Sequence, residues 1–228
     1  MNATTASIAT IVLSAGVASA GSVAPFTETF EDGASNWLDG GFLPAGEVAT
    51  GGVDNSAYIT AQTGFEFAEE GGFNVAYRGN TGFFPGTDAS DGAFNGDWIS
   101  SGVTNFSFDI RHDITAPVTV FARIAANTMG APFPGAVAVA FQPVFAGQWT
   151  TVSFAIDPNN PAFVSFEGSD FESVFSNVGF IQIGIATPDG LIGDPSVFSV
   201  DLDNVSIVPA PAGFAVLMPC LAAVRRRR

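Results

Sequence analysis

The stretch NFSFDIR, residues 105–111, changes from polar to apolar at every step. Phe106, Phe108 and Ile110 face one way, and Asn105, Ser107, Asp109 and Arg111 face the other. A period of two is the pleat of a strand with one face buried and one face wet. The pattern recurs along the chain. VTVFARI (118–124) aligns Val118, Val120, Ala122 and Ile124, and WTTVSFAI (149–156) aligns Val152, Phe154 and Ile156. FIQIGIA (180–186) aligns Ile181, Ile183 and Ile185. Segments rich in Gly, Pro, Asn and Asp, such as ATGGVDNSA (49–57), DPNNPAF (157–163) and TPDGLIGDPS (187–196), separate the runs as turns. Many short strands and almost no helix predict an all-β, antiparallel β-sandwich.

Two local features qualify the pattern. SDFESVFSN (169–177) puts Phe171, Val174 and Phe175 on one helical face. Ser169 followed by Glu172 is a capping box, so one short helix is expected there. In the last strand, VFSVDLDNVSIV (197–208), Phe198, Val200 and Leu202 share one parity, whereas Val205 and Ile207 have the other. That change of face predicts a bulge near Asp203 and Asn204.

Of the 228 residues, those at the two ends do not read as sandwich. Residues 1–20 have an apolar centre and finish Ala18-Ser19-Ala20, which is the pattern of a leader that signal peptidase cuts between Ala20 and Gly21. Residues 21–208 then form one domain. It holds all 22 acidic residues against Arg78, Arg111 and Arg123, with no lysine, for a net charge of −19. Such a surface repels phosphate backbones, so nucleic acid is excluded as a partner. The one cysteine, Cys220, lies outside the domain, which therefore has no disulfide.

Residues 209–228 begin with Pro209-Ala210-Pro211. A short apolar run containing Phe214, Leu217 and Leu221 follows, and then Arg225, Arg226, Arg227 and Arg228. As helix the apolar run from Ala212 to Val224 would reach about 20 Å, short of the roughly 30 Å hydrocarbon core. The arginines act as a stop-transfer patch. This three-part order resembles the PEP-CTERM sorting signal of Gram-negative bacteria that make exopolysaccharide, with Ala210 where that signal has Glu. The resemblance implies cleavage near Pro209 and Pro211 by an exosortase, after transient membrane association. It also implies delivery to the cell surface or extracellular matrix, with membrane anchoring if the tail is retained.

FTETFEDGASNW (26–37), WTTVSFAID (149–157), SDFESVFSNVGFIQIGI (169–185) and VDLDNVSI (200–207) together resemble jelly rolls of the laminin-IV and carbohydrate-binding-module type. That resemblance implies a structural calcium held by acids of the first and last strands. Glu31 and Asp203 are the matching positions, with Glu28 and Asp201 as neighbours. An alternative metal loop is GTDASDGAFNGDW (86–98), through Asp88, Asp91 and Asp97, although its spacing misses the EF-hand. Among the tryptophans, Trp98 beside this loop is the candidate for stacking on a sugar. Trp37 reads as a core plug, Trp149 as core or edge packing, and Tyr58 and Tyr77 as ordinary strand aromatics.

Catalytic signals are missing. His112, the one histidine, reads as a turn hydrogen bond at a strand end. No paired-carboxylate glycanase motif, phosphate loop, dinucleotide fingerprint or zinc spacing is present. The expectation is an exported, non-enzymatic β-sandwich that binds polysaccharide weakly. The alternatives are a purely structural or adhesive matrix protein without a glycan site, and a glycan-active enzyme on the same scaffold.

Overall fold

The computed structural model describes residues 23–80, 88–128 and 134–209. The leader and its cut between Ala20 and Gly21 lie outside the described residues. So do Pro211, Phe214, Leu217, Leu221 and the four terminal arginines. Pro209 ends the last strand.

The described residues form twelve strands and one α-helix. In chain order the strands are β1 (Phe26–Glu28), β2 (Leu38–Asp39), β3 (Gly46–Val48), β4 (Tyr58–Gly64), β5 (Phe73–Asn80) and β6 (Val103–His112). They continue with β7 (Val120–Ala126), β8 (Gly135–Val139), β9 (Thr150–Ala155), β10 (Phe163–Ser165), β11 (Val178–Ala186) and β12 (Val197–Pro209). One sheet runs β3-β4-β12-β6-β9, with β1 paired to the end of β12; the other runs β10-β8-β7-β11-β5-β2. Every pairing is antiparallel. The two sheets stack as a jelly-roll β-sandwich.

The inward parities are those read from the sequence. Phe106, Ile110, Val120, Ile124, Ile181 and Ile185 are all buried between the sheets. Tyr77 ties the layers together. It stands on β5, but its hydroxyl lies between the carbonyls of Ile59 on β4 and Val200 on β12. Burial, reinforced by Asp201, pushes its ionisation well above that of an ordinary tyrosine, so it remains a donor at every physiological pH. Tyr77→Phe removes the hydroxyl that bonds across the core to the opposite sheet. Its expected cost is about 1 kcal/mol in a denaturant titration, with an unchanged slope.

The bulge falls where the parity changes. Asp203 pairs with Asp109 and Ser206 with Ser107, so β12 carries one extra residue against β6. Asn204 takes up that residue in the left-handed region, at φ 49°. Val205 and Ile207 then rejoin the core.

The helix forms with a different cap. It is α1 (Phe171–Phe175), and its N-cap is Asp170, whose side chain accepts from the Ser173 N–H at 2.7 Å. Ser169 is unavailable because its hydroxyl donates to the Phe166 carbonyl in the preceding turn. The apolar spacing holds, with Val174 and Phe175 buried and the Phe171 ring 4.6 Å from that of Phe175. Among the described residues no helix is long and apolar enough to cross a membrane.

Candidate functional site

The four carboxylates expected to gather around calcium fall into three settings. Asp203 is fully buried under the 52–57 loop. Its Oδ2 accepts from the Val53 N–H and the Ser56 hydroxyl, and its Oδ1 accepts from the Asn204 N–H. Glu31 is exposed and reaches the same loop, accepting from the Ala57 N–H at 3.0 Å. Glu28 turns inward, paired with Val205, and accepts from the Phe30 N–H and the Ser90 hydroxyl. Asp201 faces outward and forms an ion pair with Arg111 at 2.8 Å. Calcium needs several oxygens converging on one point. Here donors surround Asp203, and Glu28 and Asp201 are engaged elsewhere, so this set does not fit the ion. Asp203 instead staples the loop to the last strand directly.

The alternative loop is likewise built from turns. Asp97 accepts from the Ser100 N–H, and Asp88 and Asp91 flank a tight turn in which Ser90 and Asp91 have positive φ. Among the described residues no group of three or more His, Cys, Asp or Glu side chains is placed to hold a metal ion.

Trp98 does not face solvent. It is fully buried, its indole N–H donates to the Phe94 carbonyl, and its ring packs against Phe106 and Phe175. Backbone bonds from Gly96 to Val178 and from Trp98 to Phe175 draw this loop across the end of the sandwich. Its acidic neighbours stay outside while the indole goes in. Trp37 is the expected core plug, held between Phe30 and Phe94 with its N–H on Ser90. Trp149 lies half-buried beside edge strand β9, and Arg111 stacks over its ring at 4.5 Å. Arg111 and Trp149 both donate to the Gly51 carbonyl, so this cluster latches a loop. His112 is a structural turn residue. Its Nδ1 accepts from the Ile114 N–H, which leaves the proton on Nε2 to bond the Val144 carbonyl.

The outer face of the β10-β8-β7-β11-β5-β2 sheet carries a different arrangement. Cross-strand partners share a face. The register aligns Leu38, Arg78, Gln182, Arg123, Val137 and Ser165 in one row across all six strands. Gln182 thus sits between two arginines. Arg123 is held by Glu167 in a two-pronged ion pair, with bonds of 2.7 and 2.6 Å. Gly135 makes room for that pair, since a Cβ there would collide with both partners. The Arg78 guanidinium lies 4.2 Å over the Phe42 ring, and its Nε donates to the Gly40 carbonyl. Burial, together with repulsion from Arg123, lowers the Arg78 pKa below the usual arginine value. Apolar surface flanks the row. Phe42 is 60% and Phe73 47% exposed, and Phe73 packs at 4.7 Å on Phe121, whose ring lies over Gly184.

The outward parity of Gln182 and Arg123 was present in FIQIGIA and VFARI, but the alignment of Arg78 beside them depends on strand order. Chemically the row offers guanidinium and amide groups that bond hydroxyls, next to apolar rings that pack on flat C–H surfaces.

No family model and no curated protein matches this chain. Solved structures do. Endo-1,4-β-D-xylanase 10B of Clostridium thermocellum, as its CBM22-1 and GH10 modules with xylohexaose, is similar at 14% identity and a TM-score of 0.50. The match covers 82% of this chain and 28% of that one. An exo-β-agarase is similar at 11% identity and a TM-score of 0.51, over 82% of this chain and 26% of that one. The family 11 carbohydrate-binding module of the C. thermocellum cellulase Lic26A-Cel5E aligns at 15% identity and a TM-score of 0.44, covering 83% of this chain and 97% of the module. The likeness is one of fold. This chain spans little more than a quarter of the xylanase and agarase structures.

Proposed function

We propose that this protein is an exported, non-catalytic polysaccharide-binding β-sandwich of the cell surface or extracellular matrix. The observation that carries the reading is the Arg78–Gln182–Arg123 row, with the exposed Phe42 ring stacked on Arg78 and the exposed Phe73 ring farther along β5. Arg78 and Arg123 stand two strand spacings apart, about 10 Å, which suits a pair of linked sugar rings. Fold similarity to a xylanase structure that holds xylohexaose supports the reading in general terms. The non-catalytic part is supported by the engagement of the nearby carboxylates. Glu167 is bound by Arg123, and Asp39 caps its own turn through the Gly41 and Leu43 N–H groups. Export rests on the leader and tail of the sequence, with signal peptidase and an exosortase as transient partners.

Affinity electrophoresis against neutral and acidic polysaccharides tests the site. At least one polymer should retard the protein, and Gln182→Ala or Phe42→Ala should weaken that retardation about tenfold without lowering Tm. The burial of Trp37 and Trp98 favours the second reading, a structural or adhesive protein without a glycan site. Free migration through every polymer would establish that reading instead.

A further inference from the structure

We infer that the glycan bound on this face carries carboxylate groups, and that Arg78 receives one of them as a two-pronged partner. The inference rests on the polysaccharide-binding reading and adds the class of ligand.

All 22 acidic residues of the protein lie among the described residues, as do the three arginines of the domain. Arg111 is neutralised by Asp201 and Arg123 by Glu167, each with ideal hydrogen-bonding distances. Arg78 is the exception: among the described residues no carboxylate forms an ion pair with it, and Asp39, near enough to favour its charge, is bound to the Gly41 and Leu43 N–H groups instead. It is nevertheless held in place. Its Nε is fixed by the Gly40 carbonyl and its plane by the Phe42 ring. Its two terminal NH2 groups have no hydrogen-bond acceptor among the described residues.

An arginine anchored at Nε and stacked on an aromatic ring has little rotamer freedom left to lose, and its remaining fork matches the two oxygens of a carboxylate. The adjacent Gln182 amide, also without a hydrogen-bond partner among the described residues, adds a donor and an acceptor for a neighbouring hydroxyl.

The strongly acidic domain does not conflict with this; it narrows the ligand. Charges beyond about 8 Å are screened at physiological salt, so the contact at Arg78 is decided locally. A densely charged polyanion would meet many carboxylates at once. A polysaccharide with isolated carboxylates, one per repeat, would place a single charge on the single open fork.

The test uses the intact protein and three acidic polymers: hyaluronan and gellan, which carry one carboxylate per repeat, and polygalacturonate, which carries one on every sugar and is expected to be disfavoured. Each is paired with its carboxyl-reduced form, which keeps the backbone and loses the charge. For at least one pair, the acidic form should bind about tenfold more tightly at physiological salt, where the rest of the acidic surface is screened, and the advantage should shrink as salt is raised further. Arg78→Gln should abolish the preference, and Arg78→Lys, which keeps the charge without the fork, should restore only part of it. Tm reports the folding of both variants. If glycans bind but none of the acidic polymers is preferred over its reduced form, the inference fails and the binding reading stands. If neither these polymers nor neutral ones bind, both fall together.

Discussion

Trp98→Ala is expected to lower the unfolding free energy by about 3–5 kcal/mol and to leave glycan affinity of the folded protein unchanged. The indole is fully buried, touches Phe106 of one sheet and Phe175 of α1, and bonds the Phe94 carbonyl. Truncation therefore removes a large apolar volume at the junction of helix and sheet, and leaves a buried carbonyl without its donor. Trp98→Phe restores most of the volume but not the N–H, so it should recover most of the loss. Denaturant titration gives the stabilities, and affinity electrophoresis gives the binding. A variant that stayed stable but lost its glycan would put the indole on the surface and overturn this assignment.

The second large effect is expected at Asp203. Asp203→Ala deprives the Val53 and Asn204 N–H groups of their acceptor and leaves the Ser56 hydroxyl only the Val53 carbonyl. Donors left unsatisfied in a buried setting cost about 1–3 kcal/mol each, so a total near 3 kcal/mol is expected. Asp203→Asn keeps one acceptor oxygen and should cost less. Burial also raises the Asp203 pKa above the usual aspartate value, against the opposing pull of Ser56, Val53 and Asn204. The native state then holds the proton more tightly than the unfolded chain does. Stability should therefore rise as pH falls from neutral through the raised native value, levelling off below the ordinary value of about 4. A Tm series from pH 7 to pH 4 should show a smaller rise in Asp203→Asn than in the parent. Chelator at constant ionic strength should leave the parent's Tm unchanged. A drop of several degrees that Asp203→Asn abolishes would restore calcium to this position.

What the sequence conveyed and what it withheld follow from the range of the forces involved. Parity is set by neighbours two residues away, so the buried face of β6, the turn to α1 and the bulge at Asp203 were all legible. The bulge showed itself because Leu202 and Val205 cannot both face inward on an unbroken pleat. Strand order is set by the whole chain. Arg78, Arg123 and Gln182 come from β5, β7 and β11, and nothing local to any of them says that they align. Trp98 was misjudged for a related reason. Its acidic neighbours suggest solvent, but long-range backbone bonds to Val178 and Phe175 turn it inward. Asp203 was singled out correctly as unusual, whereas its partners, some 150 residues earlier in the chain, were not foreseeable.

The pairing of β12 also gives the domain a mechanical direction. β12 is bonded to β6 on one side and to β4 and β1 on the other. A pull entering through the chain beyond Pro209 runs along the axis of this strand. Its ladder bonds lie across that axis, so they carry the load together and must shear in concert. A pull entering before Phe26 meets only the three rungs of β1, so far fewer bonds share its load. Resistance to force is a matter of unfolding rate, and the rate depends on how many bonds break at once. A load delivered at the Pro209 end therefore falls on the best-braced strand of the domain.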